Sequence, residues 1–272
     1  MVVNANLNRP RRLAMHKRWI LGFAAGVASL LAGCTAMKQA RLLEPTSFGM
    51  EQIAPRVYVK EGVSQEQRRE LIDSYEKARQ RVMEFYGGLF TDPTVYGCDT
   101  RECIESFGGV GDGFAAVRVA GILLWKKVFG PGDVAHEWSH LELHVRLAGG
   151  ARRTIPAWFH EGLATVVGEI PRHSEAVYQE VVSSGFPIPP ISDLITGAQW
   201  GAAFGKYPNP KGLNVVYSTA GHEVRVWLER VGRHGLVSLI ERIKAGEDFN
   251  TVYADLAEGA AAASRRPPAG AP

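Results

Sequence analysis

Apolar residues recur at helical spacing through much of this 272-residue chain, and the places where that spacing starts and stops mark its elements. Ser64 and Gln67 form a capping box, and Leu71, Ile72, Tyr75, Ala78 and Val82 then line one face, which predicts a helix to about Tyr86. Pro131-Gly132-Asp133 supplies a breaker and an N-cap, and Val134, Ala135, Trp138 and Leu141 give the next helix its apolar side. Pro156 opens a further helix whose buried side carries Trp158, Phe159, Leu163 and Val166. Helical spacing returns at about 174–183, 217–231, 234–245 and 248–257, with a Pro-rich loop at 187–190. Residues 56–60 read as a short strand, and residues 114–119 and 122–126 as paired strands around Ala120-Gly121. The glycine-rich stretch 107–113 is no phosphate loop, since no Lys-Ser/Thr follows it. Residues 34–53 show little periodicity and read as a tether, and the Ala, Pro and Gly of 259–272 as a disordered tail. A strand layer followed by helices predicts an α+β fold with one unit over residues 54–258.

Chemistry enters on the second of these helices, at His136-Glu137-Trp138-Ser139-His140. Positions i and i+4 share a helix face about 6 Å apart, so both imidazoles can reach one metal ion. Glu137 lies about 100° round the helix, close enough to touch a metal-bound water without being forced onto the metal, which suits a general base. Catalytic zinc takes three protein ligands and keeps a fourth position open, so a third ligand is required. His144 lies about 12 Å along the axis from His136 and is excluded, because nothing breaks the helix between them. With Glu142 it is expected on a solvated or rim face. His160 and Glu161, on the following helix, are the better candidates, and being adjacent only one of them can face the metal.

The two motifs together, HEWSH and the stretch Trp158-Phe159-His160-Glu161-Gly162-Leu163-Ala164, resemble the gluzincin metallopeptidases, the group containing thermolysin and the membrane-alanyl-type aminopeptidases. The resemblance covers roughly residues 108–245. It implies a zincin-like core with Glu161 as third ligand beside His136 and His140, one Zn2+, and peptide hydrolysis by water that Glu137 activates. It also implies that residues 114–119 form an edge strand that receives an extended peptide or protein substrate by β-addition. In the aminopeptidase branch a Tyr within Tyr-x-x-Gly donates to the oxyanion. Tyr217-Ser218-Thr219-Ala220-Gly221 is one residue longer, making Tyr217 the candidate and His222 a second, with helix-face packing as the other role open to each. That branch also carries a Gly-Ala-Met-Glu-Asn strand whose Glu holds the substrate amine. Residues 108–113 contain no Glu, so an endopeptidase is equally open. Thr165 follows Glu161 by one helical turn, where its hydroxyl accepts a hydrogen bond from a ligand imidazole or its methyl packs in the helix, with Glu169 as the alternative support. Two further readings use the same residues: a lipid-anchored interaction protein without turnover, and a zinc amidase acting on cell-wall fragments.

Five basic residues, Arg9, Arg11, Arg12, Lys17 and Arg18, precede an apolar run from Trp19 to Gly33, too short for the ~20 residues of a spanning helix. Residues 1–33 therefore read as a signal peptide. Leu31-Ala32-Gly33-Cys34 resembles the bacterial lipobox, which implies cleavage before Cys34, lipidation of that Cys and membrane attachment, and Thr35 after it leans toward the outer membrane facing the periplasm. Removing the leader takes the net charge from +3 to −2, and no basic stripe interleaved with aromatics points to a nucleic-acid partner. In an exported chain Cys98 and Cys103 are expected to pair as a disulfide.

Overall fold

The computed structural model describes residues 37–148, 154–207 and 214–264. The expected leader, Cys34 and residues 265–272 of the expected tail lie outside them. The architecture is α+β: a small mixed sheet of five strands and a helical C-terminal part. Strands β1 (Met50–Ala54), β2 (Val57–Lys60), β3 (Thr94–Cys98), β4 (Gly113–Ala116) and β5 (Gly121–Trp125) lie in the order β1-β2-β3-β5-β4. β2, β3 and β5 are parallel, and β1 and β4 run antiparallel at the two edges.

Alternation along the central strands divides the core between the two sheet faces. Val57, Val59, Val95, Ile122 and Leu124 point to the main core, where they meet helix α1 (Gln65–Tyr86) and helix α3 (Pro131–Arg146). Tyr96, Cys98 and Leu123 point the other way, onto Leu42, Met50, Phe107 and helix α2 (Arg101–Ser106). The remaining helices are α4 (Ala157–Gly168), α5 (Glu175–Ser183), α6 (Gly197–Lys206), α7 (Val215–Lys244) and α8 (Phe249–Ser264). Packing runs from α1 to α3, α3 to α4, α4 to α7, and α7 to α8. The crossing of α3 and α4 is close because glycine meets glycine: a Cβ on Gly132 would lie 2.6 Å from the Gly168 carbonyl, and one on Gly168 2.8 Å from that of Gly132. This contact lays the first turn of α3 against the last turn of α4.

The capping box at Ser64 and Gln67 forms as the sequence predicts, and α1 ends at Gly87 in the left-handed region. The expected break between 231 and 234 falls at Gly232, the one non-helical residue inside α7. Four expectations change. The N-cap of α3 is Gly130 with Pro131 at the first helical position, which puts Asp133 in the first turn rather than at the cap. The expected tether contains β1, a surface edge strand whose Glu51 and Gln52 give no apolar alternation. α6 is an unpredicted helix, started by a Thr196–Gln199 capping box, and it buries little besides Ala203. α8 runs on to Ser264 because the Ala-rich part of the expected tail has the highest helix propensity. Among the described residues no helix is long and apolar enough to cross a membrane.

Candidate metal centre

Helices α3 and α4 bring His136, His140 and Glu161 together, with one ligand atom from each within 4.8 Å of the others. Nε2 of His136 lies 3.5 Å and Nε2 of His140 3.6 Å from the same oxygen, Oε2 of Glu161. Those separations exceed a hydrogen bond. They match the roughly 3.4 Å between two atoms that each bond one tetrahedral zinc at about 2.1 Å. The three residues can therefore hold a metal ion, and the chemistry of the set, two imidazoles and a carboxylate, suits zinc. His144, one turn past His140, is outside the group, as the helical rise requires.

Electrostatics in the centre follow from burial and crowding. Burial lowers the His140 imidazole to about 3, with His160 and His136 adding to the effect and Glu161 opposing it. A neutral ring is the form that ligates metal. At His136 burial acts in the same direction, but Glu161, Glu137 and Asp133 outweigh it and the ring is held above its ordinary value. Burial also works against the charge of Glu161, yet the surrounding imidazoles win and keep its carboxyl well below the usual range. Nδ1 of His136 and Nδ1 of His140 are buried with no hydrogen-bond partner among the described residues.

Glu137 points to edge strand β4. A Cβ on Gly113 would stand 2.6 Å from its Oε1, and the Ala115 backbone donates a hydrogen bond toward its carboxylate. Burial lifts the Glu137 carboxyl to about 7, against the pull of His136 and with the push of Glu161 and Asp133. The strand expected over 114–119 is thus shorter, Gly113–Ala116, and does lie at the sheet edge, paired only with β5. Between β4 and the two helices opens a cleft of about 600 Å³ that includes Glu137, His136, His140 and Glu161 in its lining. Two ion pairs line it as well, Arg172 with Asp133 at 2.6 Å and Arg101 with Asp112 at 2.5 Å. Cys98 and Cys103 stand at disulfide-bonding distance, closing the short loop that carries Arg101.

Tyr217, from the first turn of α7, lines the cleft, and its ring centroid is 5.7 Å from that of His136. Burial raises its hydroxyl well above the ordinary value, with Glu161 and Glu137 adding to the rise, so it stays a proton donor. His222 is not in the cleft: it lies on α7 more than a turn beyond Tyr217, pairs with Glu175 at 2.8 Å and stacks on Tyr178 at 3.8 Å. The Thr165 hydroxyl is buried without a hydrogen-bond partner among the described residues and bonds neither imidazole; the methyl instead packs toward Gly221 of α7. Glu169 turns to Arg81 as the left-handed C-cap of α4. Glu142, expected on a solvated or rim face, is fully buried, because the Phe90 and Thr91 amides and Arg146 supply its hydrogen bonds. Sequence reasoning missed His173, which lines the cleft, stacks on Tyr217 at 4.5 Å and contacts Asn214 at 3.3 Å. Burial and the neighbouring Arg172 lower it to about 3. No local pattern marks it, because a short 3-10 turn at Pro171–His173 and the start of α7 meet only in the fold.

In comparisons with known proteins the chain matches no family model, no curated protein and no solved structure.

Proposed function

We propose that this protein is a zinc-dependent metallopeptidase with a zincin-like core, acting on peptides or proteins in the bacterial cell envelope. One observation carries the reading: His136, His140 and Glu161 aim donor atoms at a common point beside Glu137, in an open cleft bordered by an edge strand. Zinc held by these three residues supplies a Lewis acid that makes a water acidic near neutral pH and polarises a carbonyl.

The chain's own groups do the rest. Backbone N–H and C=O groups on the free side of β4 pair with an extended substrate and bring its carbonyl to the cleft floor. Glu137, beside the metal point, takes a proton from the attacking water and passes it to the leaving amine. Tyr217 keeps its proton and donates a hydrogen bond to the developing oxyanion. Lipidation at Cys34 and an outer-membrane location facing the periplasm belong to the same proposal and rest on the leader sequence.

Elemental analysis of the purified protein, with cleavage of a peptide library, tests the reading. Wild type is expected to carry one zinc, His140→Ala none, and His144→Ala one. Glu137→Gln is expected to keep the metal and lose about 100-fold or more of the turnover, since an amide cannot accept the proton. Equal zinc in wild type and His140→Ala, or a Gln variant retaining a tenth of the activity, overturns it.

A further inference from the structure

His160 precedes Glu161 on α4, and a helix turns adjacent residues about 100° apart, so only Glu161 can face the metal point directly. The structure nevertheless presses His160 against the ligand set. Its ring lies flat on that of His140, with centroids 4.3 Å apart and planes at 10°. Its Nδ1 is 3.7 Å from Oε1 of Glu161, the oxygen that does not face the two ligand imidazoles. The two oxygens of Glu161 are thereby divided between the metal point and His160. The side chain is buried, lines the cleft, and has no hydrogen-bond partner at Nε2 among the described residues.

Burying an unpartnered ring nitrogen is unfavourable, and a phenyl ring would fill the same space without that cost. What imidazole adds over phenyl at this point is a proton on Nδ1 facing a carboxylate. That tautomer also fits the other nitrogen, which has no acceptor among the described residues to donate to. Among the described residues neither His136 nor His140 has a hydrogen-bond partner at Nδ1, so the contacts from His160 are the ones that can orient this part of the ligand set.

We propose that His160 is a positioning residue of the metal centre: Nδ1–H holds Glu161 through Oε1 while the ring face fixes His140, presetting two of the three donors. The inference rests on the zinc reading above. In the fold the approach of Nδ1 to Oε1 is longer than a hydrogen bond, and the contact is expected to tighten when Oε2 is drawn to the metal.

Chelator competition for zinc and the visible spectrum of the cobalt(II)-substituted full chain test it, with no reference to activity. His160→Phe keeps a stacking ring and loses the donor, and its zinc affinity is expected to fall about 10- to 100-fold with an altered cobalt spectrum. His160→Asn places an amide N–H near the Nδ1 position but gives up the stacking ring, and is expected to recover part of the affinity, holding zinc more tightly than His160→Phe. Wild-type affinity in His160→Phe overturns the inference, and so does an Asn variant as weak as Phe. Should the Phe variant not fold, His160→Gln replaces it, because its amide reaches the Nε2 position: affinity equal to that of His160→Asn then overturns the role of Nδ1. A wild-type protein that binds no zinc at all fails the metallopeptidase reading itself, a result separable from normal wild-type binding that is indifferent to His160.

Discussion

The two sides of helix α3 solve opposite problems with the same backbone. On the side away from the cleft every buried polar side chain has partners. Glu142 accepts from the Phe90 and Thr91 amides at 2.9 and 2.7 Å, from the Thr91 hydroxyl at 2.6 Å and from Arg146 at 3.1 Å. Trp138 donates to the Thr91 hydroxyl at 3.0 Å, and Ser139 meets the Tyr86 hydroxyl at 2.8 Å. On the cleft side, Nδ1 of His136 and of His140 is buried and has no partner among the described residues, and the Nε2 atoms converge on one carboxylate oxygen. The satisfied side clamps the helix to α1 and to the loop at 88–92, and a clamped helix can hold unsatisfied groups in register on its other face. Stability and chemistry are thus divided by face along sixteen residues.

Breaking the satisfied side has the largest expected effect. Glu142→Ala removes a buried carboxylate and strands two backbone amides, a hydroxyl and a guanidinium, which costs about 3–5 kcal/mol. Urea unfolding of the metal-free protein measures it, and a loss below about 1 kcal/mol would mean that the network is not the clamp described. On the cleft side the ligand set gains by binding. Free zinc at 100 times its Kd is expected to stabilise the fold by about 2.7 kcal/mol, with no such gain in His140→Ala. Thermal melts with and without zinc separate the two, and an equal gain in both proteins would place the metal elsewhere.

The difference between the faces also decides what could be read from the sequence. Helical spacing and caps are local, so α1, α3, α4 and the hairpin of β4 with β5 are legible, as is the pairing of His136 with His140 one turn apart. Glu161 needed resemblance, since spacing alone left it level with His160. β3 escaped notice because a parallel strand buried on both faces gives no alternation: Val95, Tyr96 and Cys98 are all buried. Local sequence puts Glu142 on a solvated or rim face, and the donors that bury it come from residues 90 and 91, some fifty positions away. His173 is hidden for the same reason, with its partners Asn214 at the N-cap of α7 and Tyr217 in its first turn.

Gly113 links the cleft side of α3 to edge strand β4. It touches Glu137 closely enough that an added Cβ would meet Oε1 at 2.6 Å, while its backbone does not need the left-handed region. Gly113→Ala is expected to push the carboxylate aside and lower turnover about 10-fold, since small displacements of a reacting group cost rates of this order or more. Zinc content and unfolding free energy are expected to stay near wild type. A variant as active as wild type would show that Glu137 has room to move without loss.

The smallest expected effect tests whether the comparison extends to the surface. Glu175 on α5 is part-exposed, at 34% of its side chain, and pairs with His222 and with Arg225 at 2.8 Å. Burial pushes its carboxyl up, but hydrogen bonds from Gln179 and His222 and the charge of Arg225 outweigh that and hold it below its ordinary value. A carboxyl depressed in the folded state contributes stability above its unfolded pKa, about 4.3, and loses it as pH falls through the folded value. Solvent screening keeps the contribution to a few tenths of a kcal/mol. Glu175→Gln should therefore flatten the acid limb of the stability profile slightly below about pH 4.3 and leave stability near pH 7 lower by less than about 0.5 kcal/mol. Cleavage rates in Glu175→Gln and His222→Ala are expected to match wild type, whereas Tyr217→Phe slows turnover, because only Tyr217 faces the cleft. A His222→Ala protein that is as slow as Tyr217→Phe would return His222 to the reaction and erase the distinction between the two ends of that segment.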